Sequence, residues 1–336
     1  MSNDKCQMPN LRFGIRHSTF VILLLGLSAS AADAQTVTLR YGWTKGESRS
    51  YRMTTQTDSV ITGLPNTPGP LTTAQTMTQV LKFVAEDVAQ DGTATLRQTF
   101  QSIRMEITNP MGQFVVDTAT PDTSQDPMAQ SAREVMAAVV GESVLIEMAP
   151  DGVVKKVDGA SRIADKVTRV MTANPATAGA GQGLRTALGD EAVKSTLQQT
   201  FPRLSLLPAR VGDTWTGELA MGNPTIGRII GRSTFTLKAN EGTADARLAR
   251  ISVDLVLKQD VVPPPSGPAG MVMTLGDARG AGEILFNVTA GRIQRSTMRT
   301  DMPSTVVMNG PDGSPVRAEN KTTITMTMEP VEKEGR

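Results

Sequence analysis

The chain has 336 residues, 34 Lys and Arg against 33 Asp and Glu, and only 4% aromatics. Its balanced charge removes the electrostatic case for binding nucleic acid or an acidic membrane surface. The only cysteine, Cys6, and the only histidine, His17, both precede an apolar run near the N-terminus, so a chain cut after that run holds neither thiol nor imidazole.

Residues 1–34 read as a secretory signal. Lys5, Arg12 and Arg16 form a basic start, Phe20 to Leu27 a short apolar stretch, and Ala32-Asp33-Ala34 an A-x-A cleavage pattern before Gln35. The apolar stretch is too short to span a bilayer comfortably. A start at Met8 instead of Met1 gives a more ordinary signal length, and Cys6 lies upstream of the apolar stretch, where a lipid-anchoring cysteine cannot be. Cleavage after Ala34 removes three basic and two acidic residues and leaves 31 of each sign. The expected address is the periplasm or the exterior, with no transmembrane span in the mature chain. Without cysteine, stability there rests on packing alone.

Period-two alternation then dominates, the mark of half-buried strands. Val37, Leu39, Tyr41 and Trp43 share one face of a first strand, and Tyr51 and Met53 continue after a turn at Lys45-Gly46-Glu47. Met77, Gln79, Leu81 and Phe83 predict another strand, and Asp91-Gly92 a hairpin turn. Ala94 and Leu96 have the opposite parity to Ile103, Met105 and Ile107, which predicts a bulge between Gln98 and Ser102. In the middle of the chain the period becomes helical. Met128, Ala132, Val135, Met136 and Val139 form one stripe; Ile163, Val167, Val170 and Met171 form a second. Asp190 is placed to cap a third helix carrying Val193, Leu197 and Phe201. Strands return with Trp215 to Met221, Phe235 to Ala239, Ile251 to Leu257 and Ile284 to Val288, the last turning at Ala290-Gly291. In the final strand Ile324, Met326 and Met328 face in, while Thr323, Thr325 and Thr327 face out.

This order predicts a mainly β protein of α+β type: two antiparallel curved sheets or half-barrels with a helical segment between them. The expected divisions are a signal (1–34), an N-terminal β unit with one helix (35–160), a helical connector (161–203), a C-terminal β unit (204–330) and a polar tail (331–336). An internal echo points to two related units. Asp91-Gly92-Thr93-Ala94 aligns with Glu241-Gly242-Thr243-Ala244, and the same offset sets Ile103, Met105 and Ile107 over Val253, Leu255 and Leu257. An outer-membrane barrel is disfavoured by the helical middle and by too few aromatics for two girdles.

The chemistry is defined mostly by what is missing. Zinc sites, haem ligation and Ser-His-Asp or Cys-His nucleophiles need residues that the mature chain lacks. After residue 34 no Ser stands three residues before a Lys, and no G-x-S-x-G elbow occurs. Gly179 to Gly183 lacks the Gly-Lys-Ser/Thr ending of a phosphate loop and reads as a linker; Gly276 to Gly282 reads as a turn into a strand at Glu283. Asp122 and Asp126, Glu86-Asp87 and Asp190-Glu191 are candidate carboxylates for acid/base work, but solvated turns and helix capping account for them better. No catalytic residue, cofactor or metal is assigned. The positive signal is methionine, 18 in all, in a chain poor in aromatics. An adaptable Met lining suits a lipid-like guest, and Met128, Met136, Val139, Met171, Met326 and Met328 are the candidate lining.

Several stretches carry a family likeness: Leu39-Arg40-Tyr41 with Lys45-Gly46-Glu47 and Tyr51; Asp91-Gly92 with Ala94; Val211 to Trp215; and Gly282 to Asn287 with Gly291-Arg292. In these the chain resembles an uncharacterised family of exported bacterial proteins known as a domain of unknown function, from which no catalytic residue carries over. In outline it is also similar to periplasmic lipoprotein carriers with half-barrels, an architectural analogy that does not fix function. The expected function is non-enzymatic: an exported envelope protein that holds an apolar ligand or a partner segment between sheet and helices. The alternatives are a structural or interaction protein with a filled core, and a carboxylate-dependent hydrolase.

Overall fold

The computed structural model describes residues 36–64, 67, 69–110, 112–120, 126–173, 188–223, 227–243, 245–261, 272–309 and 314–331. The expected signal and the Gly179 to Gly183 linker lie outside them. The first half supplies β1 (Ser48–Thr62), β2 (Leu71–Val88), β3 (Ala94–Asn109), β4 (Gly112–Asp117), β5 (Ser143–Met148) and β6 (Val154–Asp158). Between and after them come α1 (Pro127–Val139), α2 (Ala160–Ala173) and α3 (Asp190–Thr200). The second half supplies β7 (Thr214–Asn223), β8 (Gly227–Glu241), β9 (Leu248–Val261), β10 (Val272–Leu275), β11 (Ala278–Asn287), β12 (Arg292–Asn309) and β13 (Pro315–Pro330).

All thirteen strands belong to one curved antiparallel sheet that does not close on itself, in the order β6-β5-β3-β2-β1-β13-β12-β11-β9-β8-β7. β4 pairs with β3, and β10 with β12. The strands of the first and second halves of the chain meet through β1 and β13, which run antiparallel from Tyr51 opposite Pro330 to Thr62 opposite Glu319. Alternation sets the face of each strand. Along one rung Phe235, Val253, Gly282, Met298 and Met326 stand side by side on the inner face. The expected bulge lies in β3, where Leu81 faces Phe100 and Val80 faces Ser102, leaving Gln101 as the extra residue.

The sparse aromatics are pooled at one end of the inner face. Tyr41 meets Phe201 and Phe286 edge-on at 5.8 and 5.4 Å, and Phe83 meets Phe201 at 5.3 Å and Tyr51 at 6.0 Å. Such pairs add about 0.5–1.5 kcal/mol each beyond the area they bury. α2 joins this core through Ile163 and Val167, while α1 covers a second cluster of Ile103, Met105 and Val116.

α3 lies in the gap between the two ends of the sheet. Gln198 accepts a bond from the Val154 amide on β6 at 2.9 Å, and the Ser195 hydroxyl donates to the Ala220 carbonyl on β7 at 3.3 Å. Both bonds satisfy backbone groups that an open sheet edge leaves unpaired.

Three local expectations are corrected. The segment from Val37 to Trp43 is extended but is no strand. Its alternation holds, with Val37, Leu39 and Tyr41 buried, yet its backbone bonds go to three separate places: Ala209, Pro150 and Gly291. Gly276 to Gly282 is not simply a turn, since β11 already begins at Ala278. Asp190 caps a helix other than its own: its carboxylate accepts from the Ala160 and Ser161 amides at the start of α2, at 2.8 and 3.2 Å. The residue before α3 is Gly189, which offers no side-chain cap.

Candidate apolar binding cavity

Beneath α3, between its inner side and the inner face of β7 to β13, lies a cavity of about 430 Å³. That volume falls within the range of small-molecule sites. Its floor is mostly aliphatic, with Leu219, Leu255, Leu257, Met298, Met302 and Met326. Several of these are only half-buried, so apolar surface faces open space instead of a packing partner. α3 contributes Ser195, Thr196 and Gln199 to the roof.

Glycine lets neighbouring groups close over the sheet beside the cavity. On β11 the inner-face positions opposite Val253 and Leu255 are Gly282 and Gly280, so the strand presents bare backbone where its neighbours present side chains. A Cβ on Gly282 would sit 2.3 Å from the Thr297 carbonyl oxygen, and one on Gly280 would sit 2.8 Å from Thr300 Oγ1. Met298 and Thr300 lean into the room so left. On β8 the counterpart, Gly231, is filled by Leu219 and Leu257, whose atoms come within 3 Å of an added Cβ.

Among the described residues two charged ones line the cavity, and both have partners. Arg203 lies 3.7 Å from Asp151, and Glu218 is bonded to Arg232 at 2.9 Å. Two polar residues of the floor, Ser233 and Thr300, are nine-tenths buried.

The six candidate lining residues divide between this cavity and the cores. Met326 and Met328 line the cavity. Met136 is buried in the cluster under α1, where Val139 also packs, and Met171 packs against the main core. The side chain of Met128 lies outside the described residues. Sequence reasoning missed Leu219, Gly280, Gly282 and Thr300. The available signal was glycine at alternate positions, 280 and 282, on a strand face that continues with Ile284 and Phe286.

The carboxylate pairs do not converge. Glu86 is bonded to Arg97, Asp87 to Lys45, and Glu191 lies 3.8 Å from Lys194, while Asp190 caps α2. Asp126 stands at the start of α1, and Asp122 lies outside the described residues. The acidic groups whose pKa is displaced are displaced downward, opposite to what a general acid requires. A bond from Lys45 lowers Asp87, and the Thr93 amide lowers Asp91. Burial pushes Glu47 up, but the Arg49 guanidinium and the Thr44 amide outweigh it and hold the carboxyl below its ordinary value. Among the described residues no three His, Cys, Asp or Glu side chains gather as a metal site needs. No helix among them is long and apolar enough to cross a membrane.

Three solved structures align along most of the chain at low similarity. Lipovitellin, from a study of its lipid-protein interactions, matches at 11% identity and a TM-score of 0.40, over 87% of this chain and 26% of its own. The chain thus spans about a quarter of the lipovitellin chain it matches. DynF of the dynemicin biosynthesis pathway of Micromonospora chersina matches at 9% identity and 0.21, over 90% and 88%. The COG4313 outer membrane channel of Pseudomonas putida F1 matches at 5% and 0.24, over 86% and 97%. At these TM-scores the likenesses carry no functional argument. No curated protein matches the chain in sequence. Across residues 91–289, from the β2–β3 turn to the end of β11, the chain matches the model of the family of unknown function DUF6263, and it belongs to that family.

Proposed function

We propose that this chain is an exported envelope protein, freed of residues 1–34 by cleavage after Ala34, that holds an apolar ligand without chemically altering it. The observation that carries the reading is the cavity under α3. Half-buried Leu255, Met298 and Met326 face open space there, and an unfilled apolar surface of this kind gains free energy when a guest removes it from water. Methionine suits the task because its unbranched thioether adapts to guests of different shape. The absence of converging carboxylates supports a binding role over the hydrolase alternative.

The reading takes the two halves of the sheet as related units. In support, β2, β3, β5 and β6 follow one another across the sheet in the same order as β8, β9, β11 and β12.

The test is native mass spectrometry of protein released from the periplasm without detergent, alongside N-terminal sequencing. The expected product begins at Gln35 and carries a lipid-sized adduct. Leu255→Trp, which fills the cavity with an indole, is expected to remove the adduct while leaving the circular dichroism unchanged. Adduct-free wild-type protein that also fails to bind N-phenyl-1-naphthylamine would overturn the binding role. A first residue before Gln35 would overturn the cleavage site.

A further inference from the structure

We infer that the cavity selects an uncharged lipid bearing a hydroxyl, ester or ketone oxygen, with the Thr300 hydroxyl as its main anchor and Ser233 as a second. This rests on the binding role proposed above and narrows its ligand class.

The floor is not uniformly apolar. Ser233 and Thr300 line it at 9% and 8% exposure, and no described protein group forms a hydrogen bond with either hydroxyl. Neither hydroxyl is sealed off from the cavity, so each meets water or a guest there, and a guest oxygen that replaces the water bond is favoured over bare hydrocarbon. Replacing them by Ala and Val would give a purely hydrocarbon floor at no loss of packing. A ligand oxygen arriving between α3 and the sheet supplies the missing partner.

Register places the two hydroxyls on one rung of the sheet, which reads Ser233, Leu255, Gly280, Thr300 from β8 to β12. Three strand spacings separate them, roughly 14 Å. The Thr300 site is the better formed. Its Oγ1 lies over Gly280, 2.8 Å from where a Cβ would stand, so only glycine lets the Thr300 side chain lie there. Leu255 borders it on one side and Ile324 on the other.

Charge settles the class of oxygen. Among the described residues no lysine lines the cavity, and the one arginine that does, Arg203, lies by Asp151. A carboxylate or phosphate placed on the floor would be buried without a counter-ion, which is far costlier than burying a neutral oxygen that receives a hydrogen bond. Hydroxyls can donate to an ester or ketone and both donate to and accept from an alcohol.

The test is displacement of N-phenyl-1-naphthylamine by 1-dodecanol, methyl laurate and laurate at pH 8, in wild type, Thr300→Val, Thr300→Ser and Ser233→Ala. Wild type is expected to bind dodecanol and methyl laurate at least tenfold more tightly than laurate. Thr300→Val should weaken dodecanol relative to the dye by about three- to tenfold, the worth of one hydrogen bond. Thr300→Ser keeps the hydroxyl and should restore wild-type binding; Ser233→Ala should give the smaller loss. Laurate binding as tightly as dodecanol, or a Thr300→Val protein with wild-type dodecanol affinity, overturns the inference and leaves the binding role standing. A wild type that binds neither dye nor dodecanol overturns the binding role itself.

Discussion

Arg49 offers the most demanding test of how the aromatic end of the sheet is held. Its guanidinium bonds Glu47 Oε1 at 2.6 Å, the Gly291 carbonyl at 3.2 Å and the Ala290 carbonyl at 3.3 Å. It also bonds the Gly42 carbonyl and lies 4.0 Å above the Trp43 ring. The side chain is only 6% exposed, so this one group ties the extended segment 36–44 to the β11–β12 turn. Arg49→Met would leave Glu47 without its cation and take the donor from three carbonyls. Removing one partner of a buried ion pair costs about 3–5 kcal/mol. Glu47 is 31% exposed and can regain water, and the Gly291 carbonyl keeps its bond from the Gly42 amide, which argues for the lower end. The expected loss is about 3 kcal/mol, read as the urea midpoint at constant m value. Amide exchange at residues 37–42 should accelerate with it. Glu47→Gln added to Arg49→Met should restore about 1 kcal/mol, because no unpaired charge then remains. Arg232→Met is the control: its pair with Glu218 is of similar length at 2.9 Å but 69% and 67% exposed, and should matter by under about 0.5 kcal/mol. Equal effects from the two arginines would refute the reasoning.

Further outcomes follow from the same physics. Gly291 has φ +58°, and a Cβ there would lie 2.4 Å from the Gly42 nitrogen, so Gly291→Ala should cost over about 2 kcal/mol in a melt. Gly212 has φ +96° with nothing near, so Gly212→Ala should cost only the backbone strain, about 1 kcal/mol. Asp190→Ala should cost about 1–2 kcal/mol and speed hydrogen exchange in the first turn of α2 more than in α3. Burial raises the Tyr41 phenol well above its ordinary value and raises Tyr51 too, so the fold favours their protonated forms. Their contribution is intact below about pH 10 and drains away as pH climbs toward the folded values; a Tyr41→Phe, Tyr51→Phe double variant should lose less stability over that range. Glu47 runs the other way: held low, it contributes above about pH 4.3, and that contribution disappears as pH falls through its folded value.

Much of the architecture is written locally in the sequence. Val193, Leu197 and Phe201 announce α3 by their spacing, and the parity change between Leu96 and Ile103 announces the bulge at Gln101. These features are legible because each depends on the geometry of a single element, whose repeat is imprinted on its own residues. Even in the 36–44 segment the alternation alone specifies an extended chain with one buried face.

What the local pattern omits is the identity of the partner. Nothing in Asp190 reveals that its carboxylate serves α2, thirty residues earlier, and nothing in Val37 to Trp43 reveals that its backbone bonds are divided among Ala209, Pro150 and Gly291. The candidate site shows the same limit. Met136, Met171 and Met326 are alike as residues, yet the first two fill cores beneath helices and the third borders a cavity. Periodicity tells which side of a strand or helix is apolar. Whether that side meets a snug neighbour or the open space under α3 is fixed only when distant strands come into register, because packing is a property of pairs of surfaces and the sequence specifies those surfaces one at a time.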